Sequence, residues 1–362
     1  MVDGVAPPVS RRDVTAFRLA SHGLTDRIGA GALGDAASSC GIQDSPPGSA
    51  LLALHARVED VTAAAVDDAL VVRKSLLRTW SMRGAPYVVP TADAAVFTTG
   101  VLPPNEKALR RFLAGVAPAV DELGMTITEA AALTREHVGA VLTGRRLAIG
   151  ELGAEIAERI AATLPAGQRA TWEREGPYAA GQPLGEGVVH FCLRILTLEQ
   201  VVCFAERDGG TAPFALTEEW LGHAPAELDP AEARAELLRR YLHCCGPSTR
   251  AGFAAWIGIR AGDVEPWWSA VADEMTEVEY DGAAWILADD AEELRSPPAP
   301  RGVRLLPPAT PTPSSTTGRR SCPSGVVATY GRRSESRGPS SPTVRSRESG
   351  VPARRGDRSP SR

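Results

Sequence analysis

Gln43, Asp44 and Ser45 place an amide, a carboxylate and a hydroxyl at three successive positions of the segment Gly41–Val58. An amide can position water, because it both donates and accepts; a hydroxyl does so over a shorter reach. A carboxylate between them either takes a proton or offsets a cation, or else it caps the helix that Pro46 and Pro47 introduce. Gln43 has a structural alternative too, as an amide tying the turn to a neighbouring hairpin. These three are the candidate catalytic residues. A second group is basic: Arg73, Lys74, Arg78 and Arg83 fall within eleven residues, and Arg145 and Arg146 share a turn before a helix. Cations so placed contact phosphates. Arg11, Arg12, Arg18 and Arg27 form a weaker third set. Strand parity puts Arg78 on one face with Trp80 and Met82, while Arg83 at the turn points the other way and is the better phosphate candidate. The alternative is a solvated hairpin around a packed Trp80.

The charge is unevenly spread. The chain has 362 residues and a net charge of −5, but the 54 residues from Ala309 carry eleven arginines and three acids, a net +8. The preceding 308 residues therefore hold −13, and a basic cluster within them stands out as a local site. No apolar run approaches the roughly 20 residues of a membrane span. Met1–Arg12 lacks the apolar centre of a signal peptide. The six cysteines form no CxxC pair and the six histidines no metal spacing, which predicts buried thiols in a reducing cytoplasm. His22 lies near the end of the first helix and reads as core. His55 lies on the helix after Gln43, toward the same cleft or toward solvent. Trp220, Trp256, Trp267 and Trp268 read as core.

Asp13–Leu24, Ala32–Cys40, a segment after Pro46-Pro47, and Asp60–Ala69 have helical spacing, the last with Asp60 as N-cap. Ser75–Pro90 then reads as two strands around Arg83-Gly84. Helices followed by a hairpin are the layout of a winged helix-turn-helix. The middle repeats it, with helices in Glu106–Ala114, Thr126–Leu133 and Ile149–Leu164 and strand-like segments in Val188–Glu206 and Ala212–Leu216. A third unit has helices at Pro230–Leu242, Ser248–Ile257 and Val264–Met275 and a hairpin around Asp281-Gly282. The predicted fold class is α+β, mainly helical, with tandem winged helix-turn-helix units at 13–100, 101–228 and 229–308.

Four segments carry a family resemblance: Gly41–Val58, Leu76–Pro90, Phe214–Leu221 and Tyr241–Ile259. They resemble the winged-helix DNA-binding family that includes the AlkZ-like, crosslink-repair DNA glycosylases. The resemblance implies tandem winged helices around double-stranded DNA, a C-terminal β-structure, and hydrolysis of the N-glycosidic bond of N-alkylated purines. The family's Gln-x-Gln pair falls on Gln43 and Ser45, so only its first member is kept. No cofactor is implied, because glycosidic hydrolysis needs only water. A non-catalytic DNA-binding regulator or damage-binding protein is the alternative, favoured by the serine.

Where the family's last strands are due, residues 309–362 are instead rich in Ser, Arg and Pro. Shifted by one nucleotide, codons for Gly338–Ala353 can encode GAVLADGEVAGVWRAR, which has the alternation of two strands around Asp-Gly. Two origins are open: a displaced reading frame, with the C-terminal β-element missing, or a disordered basic tail. On either, limited proteolysis should leave a stable fragment ending near Pro308; resequencing the gene separates the two.

Overall fold

Side-chain caps set several helix starts in the computed structural model, which describes residues 8–307 and the strand Val327–Thr329. Ser10 accepts from Asp13 N and begins α1, Arg11–Ser21, which buries Val14 and Phe17. α2 (Leu33–Ser38) leads into the two-residue strand β1 (Ile42–Gln43), then α3 (Ser49–Arg57). α4 (Ala63–Asp67) is capped by Thr62, and Asp60 instead sits in a left-handed turn with φ 52°. The expected Asp60 cap therefore moves two residues on, where the Thr62 hydroxyl reaches the Ala65 N–H. A wider helical turn, Asp68–Val72, continues α4. β2 (Leu76–Trp80) and β3 (Pro86–Pro90) form the expected hairpin, closed by Arg83 and Gly84 at positive φ. Met82 lies beyond β2 in that turn and belongs to the core cluster that holds Leu77 and Trp256, whereas Trp80 packs with Phe204 and Phe214 in another. The expected shared face of Trp80 and Met82 is thus lost at the strand's end.

The middle of the chain is helical from α5 (Ala94–Phe97) through α6 (Glu106–Phe112), α7 (Ala117–Glu122), α8 (Ile127–Leu142), α9 (Ile149–Thr163) and α10 (Ala166–Glu173). Thr126 and Glu129 form a reciprocal capping box at the start of α8. Leu184–Leu198 is a helix, α11, and not the strand-like segment expected from Val188 onward. Eleven of its residues are buried, and Glu186, His190 and Arg194, four apart, line its one partly exposed face; the Val, Phe and Ile around that narrow stripe are residues that also favour strands. Only Val202–Phe204, β4, is extended; it pairs with β5 (Phe214–Leu216), which α12 (Thr217–Leu221) follows.

α13 (Pro230–Cys245) starts on the Asp229 carboxylate and α14 (Arg250–Ile257) on the Thr249 hydroxyl. The expected single helix Val264–Met275 divides into α15 (Glu265–Trp268) and a tighter turn, Ser269–Glu274, which buries Trp267, Trp268 and Val271. β6 (Met275–Glu279) and β7 (Ala283–Leu287) pair across Asp281-Gly282, as expected. α16 (Ala291–Arg295) and β8 (Val303–Leu305) follow, and β8 pairs antiparallel with β9 (Val327–Thr329). The rest of the segment assigned above to a displaced frame or a basic tail, and the missing β-element with it, lies outside the described residues.

One pairing pattern occurs three times. β1 pairs with β3, and β3 with β2. Leu147 bridges Phe214 of β5, which pairs with β4. Ser248 bridges Trp285 of β7, which pairs with β6. The first two sets fuse where Arg78 of β2 meets Phe204 of β4, giving a five-stranded sheet of order β1-β3-β2-β4-β5. Among the described residues no helix is long and apolar enough to cross a membrane. The α8–α9–α11 layer depends on a missing side chain: a Cβ on Gly185 would lie 2.0 Å from the buried Trp172 ring, whose Nε1 donates to Ala157 O. Gly185→Ala should therefore destabilise the protein by about 1–3 kcal/mol, the usual cost of overpacking a core, read as a lower midpoint in denaturant.

Candidate active site

β1 is short because the chain must turn at once into α3, and that turn sorts the three candidate residues by parity. Asp44 N donates to Pro86 O at 2.8 Å, which carries the β1–β3 pairing one residue further. In extended chain, alternate side chains face opposite ways. Ile42 and Asp44 face inward, 4% and 1% exposed, while Gln43 and Ser45 are half-buried.

Register puts Gln43 opposite Tyr87. Gln43 Oε1 accepts from Arg83 Nη2 at 3.2 Å and from the Tyr87 hydroxyl at 3.4 Å. Two donors on the oxygen fix the orientation of the amide. Nε2 has no hydrogen-bond partner among the described residues. Burial pushes the Tyr87 phenol above its usual range, against the opposing effect of Arg83, so it remains a donor at neutral pH. Arg83 also donates to Trp256 O at 2.7 Å, and Gly258 lies close enough that a Cβ there would come 3.0 Å from Arg83 Cα. Arg83 thus spans from the hairpin turn to the end of α14, with Gln43 beneath it. Gln43 lines a cavity of about 20 Å³ together with His22, Cys40, Cys245 and Trp256. That volume suits one water. His22, 8% exposed, belongs to this cavity; His55 is exposed on α3.

Asp44 is bound on all sides. Oδ1 accepts from Gly48 N at 2.9 Å and Ala50 N at 3.1 Å, which fastens the first turn of α3. Oδ2 accepts from Arg78 Nε and Arg207 Nη2, each at 3.0 Å. Four donors fill the carboxylate's acceptor positions and leave none for a water. Of the two roles open to Asp44 in the sequence, these contacts are those of the cap and turn. Burial lowers the Arg78 guanidinium below its usual range and Asp44 offsets the loss. Arg207 is the residue that sequence reasoning missed. It lies 163 positions from Asp44, and only the two glycines of its loop, Gly209-Gly210, mark its neighbourhood.

The remaining candidate phosphate contacts separate into groups. Lys74 and Arg146 both lie over the Trp220 ring, each 4.9 Å from its centroid, and Lys74 Nζ also donates to Trp220 O. Arg73 is paired with Asp68, and Arg145 with Glu155 at 2.7 Å. Among the described residues Lys74, Arg83 and Arg146 have no carboxylate partner. Arg78, with a side chain 12% exposed, faces Asp44. Removing Asp44 would leave two guanidiniums close together and desolvated. Asp44→Ala should cost about 3–5 kcal/mol of stability, as measured by denaturant unfolding.

Residues 36–315 match the family model described as DNA glycosylase AlkZ-like. An interstrand DNA cross-link repair glycosylase of Streptomyces sahachiroi is 26% identical over 310 residues, covering 82% of this chain and 75% of that protein. The solved structure of Streptomyces sahachiroi DNA glycosylase AlkZ shares the fold with a TM-score of 0.62 at 24% identity, over 83% of this chain and 76% of that one. The match to the family model spans most of the chain, and the chain belongs to the AlkZ-like DNA glycosylase family.

Proposed function

We propose that this protein hydrolyses the N-glycosidic bond of N-alkylated purines in double-stranded DNA, with Gln43 and Ser45 placing the attacking water. The observation that carries this is the sorting at β1. Gln43 and Ser45 share the outer face two residues apart, and Asp44 between them is turned inward and fully bonded. Gln43 Nε2 donates to the water oxygen. Ser45 Oγ, which has no partner among the described residues, accepts one of its hydrogens. Asp44 then acts as the anchor of the segment and not as the base. An N7-alkylated purine is already cationic and leaves without a strong general acid, so positioning a water and tolerating an oxocarbenium-like sugar are the main demands. Arg83, beside the site and without a carboxylate partner among the described residues, draws in the phosphate backbone; those phosphates in turn offset the sugar cation. The target nucleotide leaves the base stack to reach the site.

The scaffold is a set of tandem winged helices with the boundaries 13–100, 101–228 and 229–308. The threefold strand pattern supports this, because in each unit an early strand or single bridging residue pairs with the last strand of a later pair. Arg83, Lys74 and Arg146 are the phosphate contacts that need no ion pair broken. Arg73 and Arg145 contribute after exchanging a surface carboxylate for phosphate, and Arg78 serves the site from within.

Incubation with methylated duplex should release 7-methylguanine, measured by chromatography of free bases. Gln43→Ala should lower the single-turnover rate at least about 100-fold, the usual scale for a lost transition-state contact. Ser45→Gln should raise the rate. Unchanged release by Gln43→Ala removes Gln43 from this role, and binding without release returns the protein to the non-catalytic alternative.

A further inference from the structure

We infer that Arg207, on the loop between β4 and β5, is a positioning residue for the Gln43–Ser45 segment and acts through Asp44. This rests on the function proposed above and names a residue that the β1–α3 segment needs from the second strand pair. The loop is short and braced: Ala205 N donates to Pro213 O at 2.8 Å, and Asp208 and Thr211 exchange backbone hydrogen bonds at 2.9 and 3.1 Å. Arg207 projects from this braced stem to Asp44 Oδ2. Its Nε is buried without a partner, so the bond to Asp44 is what orients the guanidinium.

Charge neutralisation does not account for Arg207. Arg78 alone matches the charge of Asp44, and a second guanidinium leaves the buried cluster one positive charge in excess, which costs desolvation energy. What Arg207 adds is a fixed point from another part of the fold. Asp44 Oδ1 holds Gly48 and Ala50, its N–H holds β3, and its Oδ2 is tied to the β4–β5 loop. Gln43 and Ser45 flank that residue, so their outward angle is set by four structural elements instead of one hairpin. A shift of the order of 1 Å at a water-placing group is enough to cost a large factor in rate.

The test uses the full chain with Arg207→Ala, Arg207→Lys, Asp44→Asn and the Arg207→Ala/Asp44→Asn double variant. Single-turnover excision of 7-methylguanine at saturating protein should fall about 10- to 100-fold in Arg207→Ala. The dissociation constant for methylated duplex and its salt dependence should not change. Arg207→Lys should recover part of the rate. The double variant should be no slower than Asp44→Asn, since Arg207 works only through that carboxylate. Independently of activity, hydrogen exchange at the Gly48 and Ala50 amides should speed up in Arg207→Ala. Weaker DNA binding with a shallower salt slope and an unchanged saturated rate would make Arg207 a phosphate contact and overturn the inference. Additive losses in the double variant overturn it too, as does a lower melting temperature with rate and exchange unaltered. If the wild-type protein releases no base, the functional proposal fails, and the exchange measurement still decides on Arg207: unchanged protection at Gly48 and Ala50 refutes it.

Discussion

A single carboxylate joins the parts of this site. Asp44 is 1% exposed and accepts four hydrogen bonds, two from the first turn of α3 and two from arginines on β2 and on the β4–β5 loop. Buried ion pairs of this kind contribute little net stability compared with apolar packing, but they allow only one arrangement of their partners. The arrangement here is the one that turns Gln43 and Ser45 outward. Among the described residues no other side chain hydrogen-bonds the strand, the helix and the loop together, so the geometry of the outer face follows from the inner one.

The two hairpins of the five-stranded sheet serve this centre from different sides. The β2–β3 turn sends Arg83 across Gln43 to Trp256, and the β4–β5 loop sends Arg207 to Asp44. Arg207 is thereby committed to a buried carboxylate, whereas Arg83 stays exposed and bonds only neutral oxygens. The direct pairing of β2 with β4 at Arg78 and Phe204 makes this possible, because it brings the two hairpins into one sheet. The Trp80, Phe204 and Phe214 rings pack beside that junction with centroids 4.7–5.1 Å apart and keep it closed. Lys74 and Arg146, by contrast, meet over Trp220 and remain without a carboxylate.

Much of the fold was legible where local chemistry is strong. Asp281-Gly282 marked its hairpin, Arg83-Gly84 marked another, and Thr126 with Glu129 closes a capping box over a helix whose start had been placed at Thr126. The strand expectation failed at α11, because its polar stripe is only Glu186, His190 and Arg194 and the Val, Phe and Ile between them also favour strands. The reading failed again at Asp60, since an aspartate can hold a left-handed turn as readily as it caps. For the site, the spacing of Gln43 and Ser45 could be read directly, while Asp44 stayed open between base and cap.

By itself, the sequence determined which chemistry is present: an amide and a hydroxyl two residues apart, arginines clustered on a hairpin, and helices and turns that repeat along the chain. Those features depend on neighbours within a few positions and leave a period or a turn pair behind. Only the tertiary structure decided that Asp44 faces inward, that Arg78 is its partner and not a surface contact, and that Arg207 completes the cluster from 163 residues away. Contacts between buried charges on distant segments produce no local pattern, because either residue alone looks like any other polar residue in a turn or loop. The orientation of the face that carries Gln43 and Ser45, which is a consequence of those contacts, was hidden for the same reason.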